Sequence, residues 1–243
     1  MKLKKEKYKN YAMKWLLDKK IYIKESTYAN YAYIIYTYLN PNIVNYRLSE
    51  LNNKIIQNLI IKFHKDNLSN KMIKDIIMIL KSSLNKIFDD DVIKRFSLNF
   101  NYPSNVNTKK MYVLTKKEQY ILMEYVLNNI EVKNIGILIS MLCRLRIGEV
   151  CALKWQDIDF VNKIIHVTKT LQRIFVKENN KTLSKIIITS PKTLKVNRDI
   201  PINEILLKKL KNYKKEDECY ILTGNANYIE PRVYRNYFSK VLK

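Results

Sequence analysis

From Ser69 onward, Met72, Ile73, Ile76, Ile77, Leu80, Leu84 and Phe88 recur at three- and four-residue intervals. A helix gathers residues so spaced onto one side, so this segment reads as a helix that buries one stripe against packed neighbours. Little interrupts such patterns, because the 243 residues include only 3 Gly and 5 Pro. Long helices and few tight turns are expected. A Gly-rich phosphate loop, a dinucleotide fingerprint and a collagen-like repeat are excluded.

The rest of the first hundred residues reads the same way. Tyr8 to Lys19 carries Ala12, Trp15 and Leu16 at helical spacing. Ser26 is positioned to N-cap a second helix through Leu39, stopped by Asn40-Pro41, and Ser49 a third with Leu51, Ile55, Leu59 and Phe63 on one stripe. Ser69 caps the fourth. Asn99 to Lys110, polar and containing Pro103, breaks the periodicity and reads as a linker. Thr115-Lys-Lys-Glu118 then opens a helix by a capping box, and an apolar helix follows from Ile135 to Leu142. Period-two patterns at Lys163–Lys169, Lys185–Thr189 and Val196–Pro201 mark strands. Helices over Asn203–Tyr213 and Pro231–Val241 complete the reading, with Pro231 suited to a helix start. There is no internal repeat.

The charge narrows the function classes. Lys and Arg number 45 against 22 Asp and Glu, a formal net charge of +23. Part of this lysine excess fits the codon bias of an AT-rich genome, but an excess this large attracts polyanions, nucleic acid first. Cys143, Cys151 and Cys219 lack the paired spacing of a zinc site, and His64 and His166 are too few for most metal chemistry. No metal or cofactor is expected, and reduced buried thiols are. The most apolar run, Ile135 to Cys143, is about half the ~20 residues that span a bilayer. The N-terminus lacks a signal-peptide apolar region, so a soluble cytoplasmic protein without a membrane partner is expected.

Met141 to Asp159 reads MLCRLRIGEVCALKWQDID, and Thr189 to Ile202 reads TSPKTLKVNRDIPI. In this order the two segments resemble the arginine box and the lysine-bearing β-hairpin of the tyrosine recombinase (phage integrase) family. Ser26-Thr-Tyr-Ala-Asn-Tyr and Ser69-Asn-Lys-Met-Ile-Lys-Asp resemble its helical core-binding domain. The resemblance spans nearly the whole chain and is nearest to integrases of mobile elements in AT-rich Gram-positive bacteria. It implies a mainly α fold: a four-helix, SAM-like core-binding domain over residues 1–102, a linker over 103–112, and an α+β catalytic domain with a small antiparallel sheet over 113–243. In that family a tyrosine attacks a DNA phosphodiester, and negative charge gathers on the non-bridging oxygens of the transition state. Guanidinium groups answer it with two-pronged hydrogen bonding. The family's first arginine falls on Arg146, its supporting carboxylate on Glu149, and the lysine implied to protonate the departing 5′-oxygen on Lys192. The implied DNA contacts are Thr27, Asn30, Tyr31, Ser69, Lys71 and Lys74 at helix starts, with Lys195 and Arg198 in the hairpin region. The implied partners are double-stranded DNA and other recombinase protomers, with no small-molecule cofactor.

Simpler roles compete at several positions. Ser26 and Ser69 serve as caps whether or not they meet DNA. Glu149 suits a structural partner better than a proton carrier. His166 shares a strand face with Ile164 and Thr168, as a packed or half-exposed side chain would. Trp155 and Leu153 read as core.

Two departures from the family pattern bear on function. Arg144 stands where members usually carry Gly, so the turn before Arg146 is expected either to distort or to relax into helix. The second box, H-x-L-R-H-T, has no counterpart: His64 begins His-Lys-Asp-Asn and His166 begins His-Val-Thr-Lys. Among 18 Tyr, Tyr234 and Tyr237 lie in the helix before that box and match no nucleophile. The expectation is therefore a C-terminally truncated member that binds DNA without cleaving it alone. One half of a split recombinase, or a basic nucleic-acid-binding protein outside enzymology, are the alternatives.

Overall fold

The computed structural model describes residues 5–90, 93–104, 112–129, 131–178, 181–189 and 197–242. They form two compact units, Met1–Lys110 with Ile174–Ser184, and Met111–Arg173 with Lys185–Lys243. Helices dominate; three short strands form an antiparallel sheet and two longer ones a separate ladder.

In the first unit, α1 (Tyr8–Lys19) buries Tyr8, Ala12, Trp15 and Leu16, the stripe its spacing predicts. α2 (Glu25–Ile34) departs from expectation at both ends. Ser26 lies inside it, because the Lys24 carbonyl already accepts the Thr27 and Tyr28 N–H groups at 2.9 Å. Asn40-Pro41 does not stop the helix either. Ile35–Leu39 forms a π-helical turn, the Asn40 N–H reaches the Ile35 carbonyl, and α3 (Asn40–Ile43) continues with Pro41 in its first turn. The wider turn carries the chain past a ring that has no N–H to donate.

α4 (Asn53–Lys65) is capped by Asn52, whose Oδ1 accepts the Ile55 N–H at 3.1 Å. Ser49 sits instead in a 3-10 turn over Leu48–Glu50. α5 (Asn70–Asp89) is capped by Ser69 as expected, its Oγ accepting the Met72 N–H at 3.2 Å. These helices share a core in which Ile73, Ile76, Ile77, Leu80, Leu84 and Ile87 are fully buried. The start of the expected linker is fastened to this unit. Asn53 Nδ2 donates to the Ser97 and Asn99 carbonyls, Gln57 exchanges two hydrogen bonds with the Asn101 backbone, and Asn70 Nδ2 donates to the Pro103 carbonyl. Residues 105–111 of that stretch lie outside the described residues.

In the second unit, Thr115 and Glu118 close the predicted capping box at the start of α6 (Lys116–Asn128). α7 (Val132–Cys143) is buried without a break from Asn134 to Ile139. A Cβ on Gly136 would lie 2.4 Å from both Leu222 Cδ2 and the Tyr234 hydroxyl, so glycine is what lets those side chains seat on α7. α8 (Ile147–Ala152) leads through buried Leu153 and Trp155 to β1 (Ile158–Asp159) and β2 (Ile164–Val167).

β3 (Thr170–Glu178) and β4 (Lys181–Thr189) make a two-stranded ladder of their own, its Ile174–Ser184 part belonging to the first unit. β3 was not foreseen, because the run Ile174-Phe175-Val176 breaks two-residue alternation. β5 (Arg198–Pro201) pairs with β2 in the register Ile165 to Ile200 and His166 to Asp199, giving the sheet order β1-β2-β5. α9 (Glu204–Tyr213), capped by Asn203, and α10 (Pro231–Val241) complete the unit. Among the described residues, no helix is long and apolar enough to cross a membrane.

Candidate active site

The arginine box folds as the end of one helix and the start of the next. α7 stops at Cys143, and Arg144 takes the left-handed conformation at φ 53°, ψ 34°. Neither expected outcome occurs: the turn does not relax into helix but keeps the glycine-type left-handed backbone, at the steric cost that a Cβ carries there. Arg146 is then extended at φ −72°, ψ 150° and N-caps α8. Gly148 permits the next contact. A Cβ there would stand 2.6 Å from Thr170 Oγ1 and 2.7 Å from the Leu171 carbonyl oxygen, so α8 lies against β3 at glycine distance.

This packing turns Glu149 inward, with its side chain 6% exposed. Its Oε2 accepts the Arg146 backbone N–H at 2.8 Å, and its Oε1 accepts Arg146 Nη1 at 3.1 Å. Arg198, at the start of β5, grips the same carboxylate with two prongs, Nη1 to Oε1 at 3.1 Å and Nη2 to Oε2 at 2.8 Å. Each oxygen thus accepts two hydrogen bonds, about the capacity of a carboxylate. Burial alone would raise the Glu149 carboxyl, but the Arg198 hydrogen bonds and the Arg146 N–H outweigh it and hold the group below its ordinary range. Such a group is a fixed anion and a poor proton carrier, in line with the structural role read for it. The Arg146 side chain remains 76% exposed, so its remaining donors face solvent. Its neighbours Leu145 and Ile147 line an apolar cavity of about 290 Å³ together with Ile137, Met141, Tyr234 and Phe238.

The structure brings Arg146, Glu149 and Arg198 together. Lys192 and Lys195 lie outside the described residues. Arg198, expected as a DNA contact, directs its forked edge at buried Glu149, because that carboxylate needs a cation. Nothing local in the sequence announces this pair, which joins a strand to a distant helix. In the first unit, α2 packs on α5 and holds Thr27 half-buried, Asn30 exposed and Tyr31 half-buried. Tyr31 stacks on Trp15 at 6.0 Å between ring centres. Ser69 and Lys71 are exposed at the start of α5, and Lys74 Nζ lies 5.6 Å from the centre of the Tyr102 ring.

Several side chains are explained by packing. Tyr234 is buried and donates to the Lys133 carbonyl at 2.8 Å, and the Tyr237 hydroxyl bonds Glu131 Oε2 and Asn134 Oδ1. Burial raises both phenols well above the ordinary tyrosine range, which disfavours a phenolate nucleophile at either. His166 is half-exposed, with Nδ1 2.7 Å from Asp199 Oδ1 on the paired strand. Cys143 and Cys151 are buried free thiols pushed up to about 11 and about 12 by desolvation, and Cys219 is a half-buried one. No cluster of three or more metal-binding side chains occurs among the described residues.

Comparison with known proteins bears on the fold that carries this site. Residues 7–64 match the phage integrase N-terminal SAM-like domain. The chain is 30% identical over 203 residues to the ICEBs1 integrase of Bacillus subtilis strain 168, covering 80% of this chain and 51% of that protein. It therefore spans about half the length of that curated relative. Among solved structures it resembles the Tn1549 transposon integrase in complex with transposon right end DNA (TM-score 0.76, 18% identity, 97% of this chain and 77% of that one). A lambda integrase tetramer bound to a Holliday junction is also similar (TM-score 0.64, 16% identity, 98% and 66%). The fold is thus that of an integrase core-binding domain followed by a catalytic domain. The chain resembles phage integrases by sequence in its N-terminal domain and tyrosine recombinases by fold over nearly its whole length.

Proposed function

We propose that this chain binds duplex DNA as part of the site-specific recombination machinery of a mobile element. The observation that carries the proposal is the Arg146 arrangement: an exposed guanidinium held at its base by a buried carboxylate, in the family's arginine box. Such a group is suited to a phosphodiester oxygen. The residues around 1–102 serve as the core-binding domain, with Thr27, Asn30, Tyr31, Ser69, Lys71 and Lys74 toward the phosphates. Residues 113–243 contribute Arg146, Glu149 and Lys192, with Lys195 beside them. DNA is the partner, other recombinase protomers join on it, and the cytoplasm is the compartment. These 243 residues contain no H-x-x-R arrangement. This stretch of chain therefore binds without forming a phosphotyrosine bond unless another polypeptide contributes one.

A gel-shift titration of duplexes of roughly 40 base pairs tests the proposal. If ~6–10 phosphates are contacted, affinity falls ~10³–10⁵-fold between 50 and 200 mM salt. Arg146→Gln lowers the salt slope by about one. Absence of binding at low salt would overturn the reading. A nicked suicide substrate should yield no protein band retaining labelled DNA after denaturation; such a band would assign one of the tyrosines as nucleophile.

A further inference from the structure

One carboxylate here serves two guanidiniums, and it serves them unequally. Arg198 commits both terminal nitrogens to Glu149, while Arg146 gives its backbone N–H and a single Nη. The exposures follow: the Arg198 side chain is 31% exposed and that of Arg146 is 76%. The edge with which an arginine grips a phosphate is occupied in Arg198 and largely open in Arg146. Arg198 also begins β5 opposite Val167, so the ion pair fastens the three-stranded sheet to the first turn of α8.

We propose that Arg198 is a positioning residue for Arg146: by saturating Glu149 it keeps the Arg146 guanidinium turned outward, toward an anionic oxygen of the DNA backbone. The identity of that anion rests on the reading given under Proposed function. The physical reason is competition for a buried charge. Without Arg198, two acceptor sites on Glu149 would open, and an unpaired buried carboxylate strongly favours any cation within reach. Arg146 is the nearest. Its flexible side chain would fold inward to supply the second prong, and the exposed donors would be lost.

The test is a double-mutant cycle on the full chain with duplex DNA, using R146Q, R198Q and R146Q/R198Q. R198Q should cost about tenfold in affinity, the order of one charge-assisted contact. The double variant should bind as R146Q alone does, because Arg198 acts only through Arg146. Losses that multiply would overturn the proposal, whether they come from a direct phosphate contact or from general unfolding, since either would weaken R146Q further. R198K retains the cation with a single prong and should fall between wild type and R198Q, which covers the case in which R198Q folds poorly. Arginine side-chain NMR on DNA-free protein supplies a separate readout. The Arg146 Nε–Hε resonance, assigned by its loss in R146Q, should shift in R198Q. An unmoved resonance would overturn the positioning role. Failure of the wild type to bind DNA would overturn the functional reading and leave this second measurement interpretable.

Discussion

The two units reach stability by different means. The first is built on stripes: α1, α4 and α5 each bury one apolar side, and the shared core of Leu16, Ile60, Phe63, Ile76 and Leu80 is continuous. Its buried polar pair, the Tyr8 hydroxyl and Ser83 Oγ at 2.9 Å, ties α1 to α5, and Ser83 Oγ in turn donates to the Leu80 carbonyl at 2.8 Å. The second depends on particular atoms. Gly136 admits Tyr234, Gly148 admits β3, Glu149 joins α8 to β5, and Arg144 holds a backbone conformation that glycine prefers. It also leaves Tyr120, Ile121 and Tyr125 exposed along α6. A stripe tolerates exchange of one apolar side chain for another of similar volume, whereas a point contact fails when one atom is misplaced.

The largest expected effect probes the stripe. Phe63 is 2% exposed in the centre of the first unit, and Phe63→Ala should cost ~3–5 kcal/mol. That is a large share of a typical ~5–15 kcal/mol. Hydrogen exchange should show protection falling across α4 and α5 while α7 and α9 keep theirs. Equal loss in both sets of helices would break the comparison, because the units would then unfold as one.

A smaller effect should come from the buried carboxylate of the second unit. The folded-state pKa of Glu149 is lowered from its ordinary 4.5. Around and below that value the unfolded chain binds more protons than the folded one, so stability rises with pH there. The contribution is present above about 4.5 and is lost as pH falls toward the lower folded value. Urea unfolding followed from about pH 6 to about pH 3 should therefore show a shallower acid loss for Glu149→Gln than for wild type. An identical acid limb would mean that the Arg198 pair is solvated too well to matter.

The same contrast explains what the sequence disclosed. α1, α5, the Thr115–Glu118 box and α10 were legible because periodicity and caps are local, and local signals survive when neighbours are unknown. The π turn at Ile35–Leu39 was not, since it depends on how the chain passes Pro41. Choosing Asn52 over Ser49 as the cap of α4 required knowing that Ser49 belongs to a preceding turn. At the site, Arg146 and Glu149 were legible as neighbours in one motif. Arg198 was legible as a basic residue in a family pattern, yet its partner was not, because a strand-to-helix ion pair leaves no spacing to read.

The smallest expected effect concerns the turn that delivers Arg146. Arg144 is exposed and left-handed at φ 53°, where a Cβ crowds the following carbonyl at roughly 1–2 kcal/mol. Glycine removes that cost but widens the unfolded ensemble, which takes back about 0.4–1 kcal/mol. Arg144→Gly should therefore gain about 0.5–1 kcal/mol, or a few degrees in Tm for a unit of this size. Arg144→Ala is the control that identifies the cause. Alanine keeps the Cβ and removes only the charged side chain, so it should leave Tm unchanged. Equal gains for glycine and alanine would trace the cost to charge repulsion with nearby Arg146 and leave the backbone explanation without support. A loss with glycine would show that the Arg144 side chain holds the turn. In that case the arrangement presenting Arg146 would rest on one more particular side chain, and the contrast with the striped unit would deepen.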